Sequence, residues 1–235
     1  MSQHELVDFL SGLPDIQFVE FVGHELSSTW GEDESKPLFE MIYGRYHRRR
    51  MAAWSYTSPQ YWGFYLTLIR AFRPWIEGKS IIDIGSAYGN LWTYLCYPLK
   101  KLVLTDISEA ALALAKLNLK DLPCDIEYRC QDLLTLSERE LKHDVVMSVD
   151  TLRYIHPRSR LRFYRTMRRN LSGMIITGGK SSKHSDELVW PDKYINPWIH
   201  GKKYECIWQM CTPNPMTPLN EEEAYNFYVW SLTDD

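Results

Sequence analysis

A short apolar run that passes into a glycine-flanked turn constrains this chain more than any other feature. Residues 81–84 read Ile-Ile-Asp-Ile, and the turn that follows, residues 85–89, begins and ends with glycine. Such a run predicts a buried strand that turns sharply at its carboxyl end. Four more apolar runs alternate with amphipathic segments further along the chain: 101–106, 126–129, 144–149 and 173–177. This alternation predicts an α/β fold in which helices cover both faces of a parallel sheet.

Helical periodicity is predicted on either side of these strands. Residues 27–36 are polar, which indicates a loop, and a helix is expected to start at Pro37 and run to about Trp54. Ser58 is placed to cap a second helix that begins at Pro59. Apolar spacing predicts three further helices, 91–99, 108–119 and 158–170, and two final strands, 204–210 and 225–232.

Length and composition favour one domain with a cap. A chain of 235 residues can bury one sizeable core but not two, and its 45% hydrophobic content is ordinary for a globular protein. We expect an N-terminal helical cap at residues 1–78 and a core at residues 79–235. The core would carry a proline- and aromatic-rich insert at residues 181–220.

Charge and cysteine content argue against several classes of protein. The formal net charge is −3, so no overall positive field would attract nucleic acid or an anionic membrane. The five cysteines include no Cys-x-x-Cys pair, which favours neither a zinc cluster nor a disulfide framework and fits a reducing cytoplasm. The sequence contains no signal-like or membrane-spanning run. We expect a cytoplasmic protein without a metal, either a monomer or a homodimer.

The turn after the first strand has the residue types of a nucleoside-binding site. Gly85 and Gly89 would let the backbone pass close beneath a ligand, while Asp83 steadies the turn or a ligand amino group. A dinucleotide motif would need glycine at positions 87 and 90, where the chain has Ala87 and Asn90. An ordinary strand-to-helix turn is the alternative interpretation.

Two more acidic residues follow strands in the same way. Asp106 ends the second strand, at the interval at which open α/β sheets place an acid on ribose hydroxyls. A carboxylate can accept both hydrogen bonds of a diol. Asp106 could instead complement the dipole of the helix that Ser108 caps. Asp132 follows the third strand and could accept a hydrogen bond from an adenine amino group.

Four ordered segments resemble the class I S-adenosylmethionine-dependent methyltransferases: DIGSAYG at 83–89, LTDIS at 104–108, CQDLL at 130–134 and DVVMSVDTLRYI at 144–155. The resemblance implies a Rossmann-like, seven-stranded, mostly parallel sheet with an antiparallel last strand. It implies S-adenosyl-L-methionine as cofactor and S-adenosyl-L-homocysteine as product. The implied cofactor contacts are Asp83, Gly85, Ala87, Gly89, Asp106, Ile107, Asp132, Leu133 and Val149. Ala87 departs from the fullest form of the motif, which has glycine there.

The segment after the fourth strand carries the candidate catalytic residues. Together with residues 58–61, it is most similar to nodulation-type N-methyltransferases, in which an N-terminal helix folds over the cofactor. Asp150 could orient or deprotonate an amine or hydroxyl, or could bind backbone N–H groups at the strand end. Arg153 could clamp a substrate carboxylate or phosphate, or could be a solvated arginine at a helix start. His156 could act as a base, or could lie on a surface turn.

Aromatic residues make up 14% of the chain, which exceeds the needs of a core and predicts a pocket lined with rings. We expect Trp190, Tyr194 and Trp198 of the insert on one side of a substrate pocket. Tyr46 and Tyr61 are expected on the opposite side. Rings of this kind favour a cationic or planar acceptor, which indicates an amine.

The favoured function is methyl transfer to nitrogen or oxygen of a small molecule, with an amine-bearing metabolite or natural-product intermediate preferred. Neither an Asn-Pro-Pro-Tyr-like segment nor a Pro-Cys nucleophile follows the fourth strand, which argues against methylation of nucleic-acid bases. The arginine-rich run at 45–50 is more typical of a solvated helix face than of an RNA contact. An RNA or protein methyltransferase and a catalytically inactive partner subunit are the alternatives.

Overall fold

The computed structural model describes residues 8, 11–12, 32–49, 59–151, 155, 159, 162, 173–182, 203–213 and 223–233. Three α-helices are described over their whole length: α1 (Glu32–Arg49), α2 (Pro59–Ile76) and α3 (Glu109–Asn118). Two short 3-10 helices span Asn90–Tyr94 and Leu133–Thr135. The strands are β1 (Ser80–Ile84), β2 (Lys101–Asp106), β3 (Ile126–Cys130), β4 (Val145–Val149), β5 (Met174–Ser182), β6 (Lys203–Pro213) and β7 (Glu223–Thr233).

The seven strands form one sheet in the order β3-β2-β1-β4-β5-β7-β6. Neighbours from β3 to β5 pair in parallel, whereas β7 runs antiparallel to both β5 and β6. The mostly parallel, seven-stranded sheet with an antiparallel last strand is therefore confirmed. The strand order reverses between β1 and β4. Ligands of open α/β sheets bind in the crevice at such a point, outside the carboxyl ends of the strands.

Two hydrophobic clusters pack on opposite faces of this sheet, because successive strand residues point to opposite sides. Ile81 of β1 is fully buried in a cluster that contains Leu68 and Phe72 of α2. Its neighbour Ile82 is fully buried in the second cluster, which contains Leu134 and Trp230. Burial of each such side chain contributes about 1.5–3 kcal/mol. Packing on both faces therefore holds the carboxyl ends of the central strands in place.

The predicted starts of α2 and α3 agree with the structure. Helix α2 begins at Pro59, and Leu68 and Phe72 lie on its buried face. Ser58, the predicted cap of α2, lies outside the described residues. Ser108 caps α3 as predicted, because its Oγ accepts a hydrogen bond from the backbone N–H of Ala111 at 3.1 Å.

The prediction of a loop at 27–36 is wrong for residues 32–36, because α1 already begins at Glu32 and Pro37 lies inside it. The first turn of α1 reads Glu32-Asp33-Glu34. Acidic residues favour the positive end of the helix dipole, so their charges suit a helix start as well as a polar loop.

The prediction of a helix at 91–99 is also wrong. The segment forms a 3-10 helix of five residues, Asn90–Tyr94, after which Leu95 is extended with φ −64° and ψ 123°. Pro98 disfavours helical backbone at Tyr97, which precedes it. The side chain of Tyr97 instead donates a hydrogen bond to the carbonyl of Ile69 on α2 at 2.5 Å.

Candidate functional site

A pocket lies at the carboxyl ends of β1, β2 and β4, where the strand order reverses. Its walls come from these strand ends, from the segment after β3, and from α1 and α2. Eight of the nine predicted cofactor contacts line the pocket: Asp83, Gly85, Ala87, Asp106, Ile107, Asp132, Leu133 and Val149. Asp150, a predicted catalytic residue, lines it as well. Motifs that are far apart in the sequence thus converge on one pocket.

Gly85 makes room for a side chain from the neighbouring loop. Its φ is +71°, and a Cβ at this position would lie 2.2 Å from Cγ2 of Thr151, just after β4. The Oγ1 of Thr151 lies 3.1 Å from the carbonyl oxygens of both Ile84 and Gly85, to which it can donate. The absence of a side chain at Gly85 therefore allows the loop after β1 and the loop after β4 to contact and hydrogen-bond to each other.

Gly89, the ninth predicted contact, is not among the residues that line the pocket. Its φ is +72°, and a Cβ there would lie 2.7 Å from Cδ1 of Leu119 and 3.5 Å from Cβ of Ala115. This glycine lets the turn after β1 approach α3 closely. Its physical role in the structure is packing.

Ala87 has a left-handed backbone conformation, with φ +50°. Such a conformation is unfavourable for a residue with a Cβ, by about 1–2 kcal/mol. The N–H of Ala87 donates to Oδ2 of Asp106 at 2.9 Å, which offsets part of this strain. The turn therefore retains its shape at the position where the fullest motif has glycine.

Asp83 is a buried carboxyl group at the floor of the pocket, with only 5% of the residue exposed. Its Oδ2 accepts a hydrogen bond from Nε1 of Trp92 at 2.7 Å. Burial raises the pKa of Asp83 to about 7, and the nearby charge of Asp106 raises it as well, whereas the Trp92 hydrogen bond lowers it. A cationic group beside Asp83 would favour its ionised form.

Asp106 is the second buried acid of the pocket. Oδ2 accepts from the N–H of Ala87, and Oδ1 accepts from the N–H of Ser108, each at 2.9 Å. Burial raises its pKa to about 6, and the two backbone hydrogen bonds oppose that rise. Each carboxylate oxygen can accept more than one hydrogen bond. The protein contacts therefore orient Asp106 and leave it able to accept from a ligand.

Asp132 lines the pocket from the segment after β3. Its Oδ1 accepts from the N–H of Leu134 at 2.9 Å and caps the second 3-10 helix. This cap fixes the direction of the side chain and still leaves lone pairs for a ligand. The neighbouring Leu133 and Ile107 supply apolar surface to the same part of the pocket lining.

Asp150 has a strained backbone at the end of β4, with φ +56°. Its N–H donates to the carbonyl of Gly178 at 2.7 Å, which ties the residue to the adjacent strand β5. A Cβ at Gly179 would lie 3.4 Å from Oδ1 of Asp150. Strained residues held by their surroundings are frequent at functional sites.

Several predicted site residues cannot be placed against the pocket. Arg153, His156, Trp190, Tyr194 and Trp198 lie outside the described residues. The structure places Tyr46 on α1 and Tyr61 on α2, but their side chains also lie outside its described part. Their roles stay predictions.

Other pocket residues were not predicted from the sequence. Phe39 and Tyr43 of α1 and Tyr65 of α2 line the pocket. Their helical spacing is equally typical of core packing, so it carried no signal for a site. Asn90 also lines the pocket, and its buried Nδ2 has no hydrogen-bond partner among the described residues.

Two kinds of feature are absent from the part of the chain that the structure describes. No group of three or more His, Cys, Asp or Glu residues is arranged there to hold a metal ion. Among the same residues, no helix has the length and apolar character that crossing a membrane requires.

Comparison with protein families matches residues 81–173 to a methyltransferase domain. Over 105 residues the chain is 26% identical to the ubiquinone biosynthesis O-methyltransferase of Coxiella burnetii. The aligned region is 45% of this chain and 42% of that enzyme. The matched region is therefore less than half the length of these curated relatives.

Solved structures share the fold. Phosphoethanolamine N-methyltransferase 1 of Haemonchus contortus, in complex with phosphoethanolamine and S-adenosylhomocysteine, superposes with a TM-score of 0.67 at 16% identity, over 87% of this chain and 50% of that one. N-methyltransferase NodS of Bradyrhizobium japonicum, in complex with S-adenosylhomocysteine, gives 0.61 at 15% identity, over 81% and 98%. The predicted Rossmann-like methyltransferase fold is confirmed.

Proposed function

We propose that this chain, which carries a class I S-adenosylmethionine-dependent methyltransferase domain, transfers a methyl group from S-adenosyl-L-methionine to the nitrogen or oxygen of a small molecule. One observation carries the proposal. Acidic side chains at the strand ends and aromatic rings from α1 and α2 line the same pocket. This pairing suits a cationic cofactor and an amine-bearing acceptor.

Three acidic pocket residues suit three parts of this cofactor. Backbone hydrogen bonds hold the carboxylates of Asp106 and Asp132 in place, and we assign Asp106 to the ribose hydroxyls and Asp132 to the adenine amino group. Asp83 suits the cofactor ammonium group, because a nearby cation offsets the cost of ionising a buried carboxyl. Ala87 leaves little room for a pyrophosphate, which S-adenosyl-L-methionine lacks.

The acceptor is proposed to lie beside Val149 and Asp150. When bound, the cofactor supplies an electrophilic methyl group on a positively charged sulfur. Asp150 accepts a hydrogen bond from the acceptor N–H or O–H, aligns its lone pair for in-line attack and receives the proton that the acceptor loses. Phe39 and Tyr43 of α1 line the same pocket, and their rings would help to exclude water from it.

An amine is the favoured acceptor for two reasons. Aromatic faces attract a protonated amine by about 0.5–2 kcal/mol, and a neutral alcohol lacks this cation–π attraction. Two solved structures with this fold are described as N-methyltransferases, although the curated relative is an O-methyltransferase. A matched comparison of amines and alcohols decides between the two chemistries.

A transfer assay with methyl-labelled S-adenosyl-L-methionine tests the proposal. The full chain is incubated separately with small aliphatic and aromatic amines, with small phenols and alcohols, with total RNA and with a protein mixture. We expect label in the small amines. Label confined to RNA or protein would refute the small-molecule proposal, and absence of both binding and transfer would indicate an inactive partner subunit.

Replacement of Asp150 tests its catalytic role. D150N should lower turnover by about 100-fold or more while the dissociation constant for S-adenosylhomocysteine stays within about two-fold, because the residue acts on the acceptor. The matched control is D144N, which removes a carboxylate from the other end of β4. Unchanged turnover in D150N would remove this residue from the mechanism.

A further inference from the structure

Helix α1 is joined to α3 by one carboxylate that lies outside the pocket. Glu40 of α1 accepts hydrogen bonds from the backbone N–H groups of Glu109 and Ala110, the latter at 3.2 Å. These are the first two residues of α3, whose N–H groups have no partner inside the helix. Ser108 takes the third, that of Ala111. Glu40 therefore completes the cap of a helix that is 69 residues away in the sequence.

The same turn of α1 reaches the pocket. Phe39 and Tyr43, on either side of Glu40, line it, and their rings stack with centroids 6.3 Å apart. Tyr43 also contacts the ring of Tyr88 in the turn after β1, at 6.4 Å. Leu38 and Ile42 are fully buried, so this part of α1 is packed against the protein. The position of α1 therefore determines whether Phe39 and Tyr43 line the pocket.

The cap also connects to the proposed ribose acceptor. Ser108, which precedes α3, donates its N–H to Asp106, and Glu40 contacts the next two residues. Glu40 is thus linked to the pocket through the helix that it caps.

We propose that Glu40 is a positioning residue that holds α1 against the pocket and so controls how tightly the cofactor is retained. This inference rests on the proposed function, because it assumes that the cofactor occupies the pocket. Glu40 itself does not line the pocket. Its effect is transmitted by Phe39 and Tyr43, which cover the site only while α1 stays joined to α3.

Three variants separate positioning from general stability. E40A removes both hydrogen bonds and the charge, and E40Q retains one acceptor oxygen without the charge. The matched control is E109A, which removes an acidic side chain from the first turn of α3. This variant keeps the backbone N–H groups that donate to Glu40. Calorimetry measures the dissociation constant for S-adenosylhomocysteine, and steady-state kinetics separates KM for the cofactor from kcat.

We expect E40A to raise the dissociation constant and the cofactor KM by about 10-fold or more, since hydrogen bonds to a charged group are lost. The dissociation constant and KM of E40Q should lie between those of E40A and the wild type. At saturating cofactor, the kcat of E40A and of E40Q should stay within about two-fold of the wild-type value. All three constants of E109A should also stay within about two-fold of the wild type. Unchanged affinity in E40A, or an equal loss in E109A, would overturn the proposal.

Hydrogen exchange provides a readout that does not depend on the cofactor. In the ligand-free E40A protein, the amides of Glu109 and Ala110 and those along α1 should exchange faster than in the wild type, while β1 and β2 remain unchanged. Wild-type protein that binds no S-adenosylhomocysteine would contradict the proposed function alone. Unchanged exchange in E40A would contradict the role of Glu40 alone.

Discussion

Replacing Asp83 with asparagine should stabilise the ligand-free protein at alkaline pH and weaken its binding of the cofactor. Asparagine has nearly the same shape, and its side-chain oxygen can still accept the hydrogen bond from Nε1 of Trp92. The substitution therefore removes the charge with little change in packing. Its effect on stability should come almost entirely from the pKa of Asp83.

The expected size follows from the raised pKa of Asp83. The folded-state value of about 7 lies about three units above the ordinary 3.8, and each unit corresponds to about 1.4 kcal/mol. Because the folded-state pKa is raised, the stability contributed by the protonated carboxyl is complete below about pH 4 and is lost as pH rises through about 7. The advantage of D83N over the wild type should grow by about 3 kcal/mol between about pH 5 and about pH 8.

Urea unfolding across this pH range, followed by tryptophan fluorescence, measures the difference. D144N is the matched control, because hydrogen bonds from Ser80 lower the pKa of Asp144. Its carboxylate stabilises the fold above its unfolded-state pKa, so D144N should be less stable than the wild type at neutral pH, and the gap should close in acid. A D83N advantage that does not change with pH would show that Asp83 does not have a raised pKa in the folded protein.

Two further predictions concern the same pocket. Affinity for S-adenosyl-L-methionine should fall by up to about 10-fold per pH unit as pH drops below about 7, because the cationic ligand favours the ionised form of Asp83. Below about pH 6 the fall should become steeper, because Asp106 must then also lose a proton to accept both ribose hydrogen bonds. Calorimetry in buffers of different ionisation enthalpy would detect the linked proton release, and a pH-independent affinity would contradict the prediction. G89A should destabilise the protein by about 2–4 kcal/mol in urea unfolding, because its Cβ would clash with Leu119 at a positive φ, yet the folded variant should bind S-adenosylhomocysteine nearly as well as the wild type.

The elements that were predicted correctly are those whose signals are local. A strand end or a helix start is signalled within a few residues by the apolar run at 81–84, by Asp106 and by the cap Ser108. Because carboxyl ends of parallel strands meet at one edge of a sheet, locating these ends was enough to locate the pocket. The four methyltransferase-like segments supplied the strand count and the antiparallel last strand.

The features that were missed depend on contacts between distant segments. Leu91, Leu95 and Leu99 have helical spacing, but the helix that forms is a 3-10 helix of only five residues. The side chain of Trp92 is hydrogen-bonded to Asp83 on β1, and Pro98 disfavours a helical backbone just before it. Phe39 and Tyr43 resembled an ordinary buried helix face. Only the packing of α1 on α3 shows that they also cover the pocket, and no local pattern signals that contact.

A crystal structure of the full chain with S-adenosylhomocysteine would show whether the cofactor occupies this pocket. We expect the ribose hydroxyls within hydrogen-bonding distance of the Asp106 carboxylate, the amino group beside Asp83 and the adenine next to Asp132. The turn of α1 that carries Phe39 and Tyr43 should cover the ligand. A ligand bound elsewhere, or one whose ribose does not contact Asp106, would show that this pocket is not the cofactor site that we propose.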